Sequence, residues 1–254
     1  MKIAEFSRVL LLSITLTLLV PYSSYSQSVN SAEVPKIHFS HLSVNDGLSQ
    51  GTVVSCCQDK LGHIWIATHD GLNKYDGHNF TVYRHSADDT TSIVDNMIRK
   101  VYSDQNGGLW IGTAKGLSFY NSRKDRFINF PTRNMAVTGI VETGIKDKLM
   151  IAAGGSITFF NTSTLKWEEE KSSAQLENIG ATIMYHKGAN IYIGTAQMGI
   201  FCYNTETDEF KKVSAFTSRR EIQCMIMTEE QYLWTTVTET APITGTRRRL
   251  SMRR

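Results

Sequence analysis

A motif that returns about every forty residues leaves this chain few ways to fold. Leu61 to Tyr75 reads L-G-H-I-W-I-A-T-H-D-G-L-N-K-Y. Altered copies follow at Gly107 to Tyr120 (G-G-L-W-I-G-T-A-K-G-L-S-F-Y) and Ala189 to Tyr203 (A-N-I-Y-I-G-T-A-Q-M-G-I-F-C-Y). Worn copies stand at Lys148 to Phe160 and Gln231 to Val237. The anchor residues Trp65, Trp110, Met150, Tyr192 and Trp234 are separated by 45, 40, 42 and 42 positions. Self-similarity of this period marks stacked supersecondary units, none of which buries its apolar surface alone.

Within the first copy, short β-branched and apolar runs predict strands at Val53 to Gln58, Ile64 to Thr68, Gly71 to Tyr75 and Phe80 to Arg84. Tight turns separate them. Asp59-Lys60-Leu61-Gly62 opens on a carboxylate that can accept from the turn backbone and closes on a glycine, as does Asp104-Gln105-Asn106-Gly107. Asp76-Gly77 supplies the last hairpin turn. Ile64-Trp65-Ile66 carries bulky apolar groups on both faces, so both faces must be covered by neighbouring sheets. Four-stranded antiparallel sheets packed face to face around an axis are the blades of an all-β propeller, and a linear β-solenoid is the competing architecture. The recurring tryptophans then belong to the packing between blades rather than to a ligand surface. Trp65, Trp110, Tyr192 and Trp234, with Gly71 and Gly116, are structural repeat positions.

Residues 1–26 read as a secretory signal peptide: Lys2 and Arg8, an apolar run from Val9 to Val20, then Pro21 and small residues near Ser24 and Ser26. The run is too short for a membrane span. Residues 27–36 form a polar spacer, and Ile37 to Leu42 is predicted as a strand that would complete a last blade. The repeat region covers 37–239, with units at about 43–85, 88–130, 134–168, 176–212 and 218–239. Four units and the start of a fifth are expected, fewer than a closed ring needs. Residues 240–254 form an aberrant basic tail with five arginines, expected to be out-of-frame sequence, so that the chain reads as a truncated fragment. The formal charge of +3 comes from that tail; without its arginines the body stands at −2, which gives no support for nucleic-acid binding. Of the four cysteines, Cys56 and Cys57 point to opposite faces of a strand, Cys202 and Cys224 lie in consecutive units, and all are expected to be buried free thiols.

The run Gly47-Leu48-Ser49, Asp59-x-x-Gly62, Ile64-Trp65-Ile66-x-Thr68 and Gly71-Leu72-x-x-Tyr75-Asp76 resembles the two-component regulator propeller repeat. Leu109-Trp110-Ile111-Gly112-Thr113-x-x-Gly116-Leu117-x-x-Tyr120-Asn121 resembles it equally. The opening His38 to Ser49 is similar to the start of the periplasmic sensor of Bacteroidetes hybrid two-component system histidine kinases. No Asp-x-x-Gly precedes Met150, so the third unit should turn differently. The resemblance implies a periplasmic sensor for glycan-derived oligosaccharides. It also implies a homodimeric full-length receptor that reaches the membrane only through C-terminal regions missing here. Its kinase is absent from this chain, so no enzyme is expected.

A propeller site sits where loops converge at one end of the channel. The turns between second and third strands and the loops between blades are therefore the candidate positions. His69, Asp70, Lys115 and Gln197 are the candidate ligand-binding residues, since sugars are held by planar polar groups. No catalytic residue, cofactor or metal is assigned. The histidines are scattered without zinc-ligand spacing, and Asp88-Asp89 and Glu168-Glu169-Glu170 lack a calcium-loop pattern. The competing functions are a secreted propeller enzyme, of lyase or quinoprotein kind, and a non-catalytic protein-interaction propeller.

Overall fold

A computed structural model describes residues 39–132, 135–168, 177–214, 220–227 and 233–239. The predicted signal peptide, spacer and basic tail lie outside these residues. The fold is all-β, apart from one 3-10 turn at Val44–Asp46 held by a capping box between Ser43 and Asp46.

Four four-stranded antiparallel sheets follow one another along the chain. The first blade is β1 (Val53–Gln58), β2 (Ile64–Thr68), β3 (Gly71–Tyr75) and β4 (Phe80–Tyr83). The second is β5 (Ile98–Ser103), β6 (Leu109–Thr113), β7 (Gly116–Asn121) and β8 (Arg126–Pro131). The third is β9 (Val137–Glu142), β10 (Lys148–Ala153), β11 (Ser156–Asn161) and β12 (Lys166–Glu168), and the fourth is β13 (Ala181–Lys187), β14 (Asn190–Thr195), β15 (Ile200–Asn204) and β16 (Glu209–Ser214). A pair, β17 (Arg220–Met227) and β18 (Leu233–Glu239), follows. The strand predicted at Ile37 to Leu42 is corrected: residues 39–42 have no strand pairing, and residues 37 and 38 lie outside the described set. A strand there needs an edge to pair with, and Ser43 instead commits the segment to a cap.

Blades pack face to face, as the two-sided apolar strands require. Trp65 and Leu72 of blade one meet Leu109, Ile111, Tyr120 and Phe127 of blade two. Trp110 and Leu117 of blade two meet Ile140, Leu149, Ile151 and Phe160 of blade three. Met150, Ile157 and Phe159 of blade three meet Ile191, Ile193 and Phe201 of blade four. Trp65 and Trp110 are each only 1% exposed, and Met150 is fully enclosed, so the anchors are core. Tyr192 is partly buried against Ile222 of β17. The backbone of Trp234 pairs with Ile226, and its side chain lies outside the described set. First strands of successive blades lie side by side, and hydroxyls bridge them. Ser55 Oγ accepts from Val101 N (3.3 Å), Thr138 Oγ1 donates to Ala181 O (3.3 Å), and Thr182 Oγ1 donates to Ile222 O (2.6 Å).

The cysteines depart from expectation. Cys57 packs toward blade two and is half-buried, Cys202 is buried, but Cys56 points to the other face of β1 and is exposed. The side chain of Cys224 lies outside the described set.

A covariation inside the chain links the third and fourth strands of blades two, three and four. Tyr120 Oη donates to Asp125 Oδ1 at 2.6 Å, and Tyr203 donates to Asp208 in the same way. Asp125 and Asp208 occupy the left-handed region (φ 52° and 60°) at the same position of their turns. In blade three the pair is Phe160 and Leu165, also left-handed (φ 55°), within the apolar cluster around Trp110. Hydroxyl and carboxylate are thus lost together, which avoids burying either one alone. Phe160→Tyr and Leu165→Asp should each destabilise. The double variant should recover part of the loss, with a coupling of about 1 kcal/mol or more in a urea-unfolding cycle. Strict additivity would refute the pairing.

Candidate functional site

Blades one and two spend their acidic turns on the fold. Asp59 Oδ1 accepts from Leu61 N and His63 N (2.9 Å each). Its Oδ2 accepts from Trp65 Nε1 at 2.8 Å and contacts His63 Nδ1 at 2.9 Å. Burial opposes ionisation of Asp59, but the donors from Trp65, His63 and Leu61 outweigh it and hold the carboxyl below its ordinary range. Asp104 repeats the design, accepting from Asn106 N (2.9 Å), Gly108 N (2.7 Å) and Trp110 Nε1 (2.7 Å). Blade three lacks both partners. Thr143 Oγ1 closes the turn on Lys148 O (3.0 Å), and Met150, with no N–H to offer, takes the tryptophan's place. The carboxylate and the indole are therefore one device. The sequence shows their spacing but not their bond.

At the opposite end of the blades lie the turns between second and third strands. Thr68, Thr113 and Thr195 each donate through Oγ1 to the carbonyl of the glycine that opens the third strand, at 2.9 Å (Gly71), 3.0 Å (Gly116) and 2.8 Å (Gly199). Gly71 is left-handed (φ 118°), and a Cβ there would lie 2.8 Å from Tyr83 O. Each turn is tied to the segment between blades: Gly71 N donates to Asn96 O (2.8 Å), Ala114 N to Met97 O (3.0 Å) and Ala196 N to Gly180 O (2.9 Å).

The candidate residues fall on this end. Asp70 and Lys115 occupy the same turn position in blades one and two, their amides donating to Thr68 and Thr113 Oγ1 at 3.1 Å. The turn of blade four is one residue longer, so that Met198 N takes this place on Thr195 and Gln197 precedes it, as His69 precedes Asp70. Asp70 and Lys115 flank the segment Asp95 to Met97, and each has a partner: Arg84 to Asp70 at 3.1 Å, Lys115 to Asp95 at 3.6 Å. The Arg84–Asp70 pair is solvent-facing on both sides, the kind that contributes about 0–1 kcal/mol, whereas Lys115 reaches an Asp95 whose side chain is only 16% exposed. His69 is half-buried and Gln197 is exposed, and Gln197 is separated from Lys115 by blade three. The four are thus not gathered into one pocket. Close by, Ser49 and Asn73 form a closed polar network with Thr68 at 2.8 Å contacts, beside which the Gln50 side-chain carbonyl is buried without a partner among the described residues.

Blade three has Gly154-Gly155 at this turn, so the rim carries no side chain there. A cleft of about 380 Å³ opens at that point, lined by Thr132, Met135, Ser156, Thr158, Trp167 and Glu177 among others. A second, polar cleft of about 180 Å³ lies at the other end, with Asp104, Glu142 and Asp147 among its lining residues. Among the described residues, no group of three His, Cys, Asp or Glu side chains is placed to hold a metal ion.

Stacked four-stranded sheets with first strands side by side define a β-propeller, here carrying a rim of polar turns. Residues 47–70 and 92–115 match the two component regulator propeller family. The chain is also 56% identical over 48 residues to histidine kinase P4 of Formosa agariphila, a match that spans 19% of this chain and 4% of that protein. Among solved structures, the extracellular domain of a hybrid two component system of B. thetaiotaomicron superposes with a TM-score of 0.66 at 23% identity, covering 78% of this chain and 29% of the other. A second such domain from the same organism gives 0.66 at 20% identity, covering 85% and 33%. Virginiamycin B lyase of Staphylococcus aureus gives 0.58 at 14% identity, covering 78% and 69%. At these identities the structures speak for the fold.

Proposed function

We propose that the chain is part of the ligand-sensing region of a two-component receptor, exported to the periplasm, that reads glycan-derived oligosaccharides without chemically altering them. The match of two repeats to the two component regulator propeller family carries this reading. The likeness to extracellular domains of two component systems supports it. In this reading the polar turns of His69, Asp70, Lys115 and Gln197 form a rim along which an extended ligand lies. Occupancy is passed on through packing between blades and between two receptor copies, in regions beyond this chain. Isothermal titration of the chain with neutral and acidic oligosaccharides tests it. Saturable heat with unchanged sugar recovered afterwards is the expected result, and no binding across the panel would refute the ligand class. The likeness to virginiamycin B lyase favours a second reading, a secreted lyase, which release of cleaved product in the same samples would establish.

A further inference from the structure

We propose that the cleft at the third blade is a saccharide subsite with Trp167 as its stacking face, an inference that rests on the glycan-sensing reading above. Trp167 pairs across strands with Phe160, as Phe127 pairs with Tyr120, Phe210 with Tyr203 and Phe80 with Tyr75. The other three blades thus place phenylalanine where blade three places tryptophan. Trp65 and Trp110 both donate their indole N–H to a carboxylate. Trp167 is only partly buried, edge-on to Phe160 at 5.0 Å, and its N–H has no acceptor among the described residues. A tryptophan placed in a core without a partner for its N–H wastes a donor; one at a cleft wall keeps it for a ligand.

The rest of the wall fits a pyranose ring. Ser156 Oγ accepts from Asn178 N at 3.0 Å, which leaves its hydrogen to donate. Thr158 Oγ1 makes no hydrogen bond among the described residues. Pro131, Ala153 and Met135 supply an apolar floor, and the volume of about 380 Å³ lies within the range of small-molecule sites. Sugars present an apolar C–H face and a hydroxyl rim, which matches one aromatic face beside two hydroxyls and an N–H. The turn beside the cleft is Gly154-Gly155, which contributes no side chain to its mouth. Glu177 is the one charged residue among the described residues lining it, and its carboxylate disfavours a uronate relative to a neutral sugar.

The test is titration of the full chain with cellotetraose, laminaritetraose, xylotetraose and tetragalacturonate, repeated with Trp167→Phe and Thr158→Val. Trp167→Phe installs the residue of the other blades, and a thermal melt confirms its fold. The expected result is binding of at least one neutral tetrasaccharide in preference to tetragalacturonate, weakened about tenfold by Trp167→Phe and several-fold by Thr158→Val. Wild-type binding left unchanged by both variants would overturn the subsite while leaving the sensor reading in place. Failure of every sugar to bind the wild type would overturn both. Should Trp167→Phe fail to fold, Thr158→Val, at a hydroxyl that the fold does not use, decides the outcome alone.

Discussion

Trp110→Ala is expected to destabilise the protein by about 3–5 kcal/mol, the cost of emptying a large aromatic site in a packed core. Trp110 touches Phe119 (4.7 Å between ring centroids), Phe160 (5.4 Å) and Phe130 (6.3 Å), so its loss opens the seam between blades two and three. A second term adds to the cavity: Asp104 loses the donor on its Oδ2 while remaining nearly buried. Trp110→Phe separates the two terms. It keeps most of the volume and removes the N–H, and should cost about 1.5–3 kcal/mol, the range for a hydrogen bond to a charged group. In Asp104→Asn the new amide NH2 must face either Trp110 Nε1 or the amides of Asn106 and Gly108, donor against donor, so the loss should be at least as large as for Trp110→Phe. Urea unfolding followed by circular dichroism measures all three. A Trp110→Ala variant within about 1 kcal/mol of wild type would show that the blades do not lean on this contact.

Gly112→Ala should cost about 3 kcal/mol, at the upper end for overpacking. One added methyl would lie 2.6 Å from the carbonyl oxygen of Val137 and 2.8 Å from its Cγ1, so the backbone of β9 must move. Gly194 is the matching position in blade four. There the nearest atoms are side-chain methyls, Ile222 Cγ2 at 2.8 Å and Ile183 Cγ2 at 2.9 Å, and rotamer adjustment can absorb part of the clash. Gly194→Ala should therefore cost less than Gly112→Ala. Blades one and three already carry Ala67 and Ala152 at this position, both fully buried, so a methyl is accommodated there. The reverse order of costs in a thermal or urea comparison would mean that the seam between blades two and three is softer than the one after blade four.

Both predictions concern contacts between units, and these are what a linear reading sees least. The strands of blade one were legible almost residue by residue, because alternation, β-branching and the Asp-x-x-Gly and Asp-Gly turns are local signals. The burial of Trp65 and Trp110 was legible from their recurrence at a mid-strand position. Their bonds to Asp59 and Asp104 were not, although both pairs are separated by six positions and both partners are replaced in blade three. The Tyr120–Asp125 and Phe160–Leu165 exchange was equally visible in the letters. It gains meaning only when the turn folds the fifth residue back onto the ring.

The site divides along the same line. That His69, Asp70, Lys115 and Gln197 lie on polar turns followed from the repeat. That Asp70 and Lys115 are already paired with Arg84 and Asp95 did not follow, since their partners come from strand ends and interblade segments. Trp167 was passed over because it falls outside the recurring motif. The signal that would have found it is the departure from phenylalanine at one outer-strand position.

The sequence by itself determined the unit: its strands, its turns, its period and the demand that both faces be covered. These depend on neighbours in the chain, whose preferences act through backbone geometry and burial pattern alone. Only the tertiary structure decided which carboxylates are consumed by the fold, and which indole N–H has no acceptor among the described residues beside a cleft. Those outcomes depend on distances between blades, and a separation of forty residues along the chain says nothing about a few ångströms across a seam.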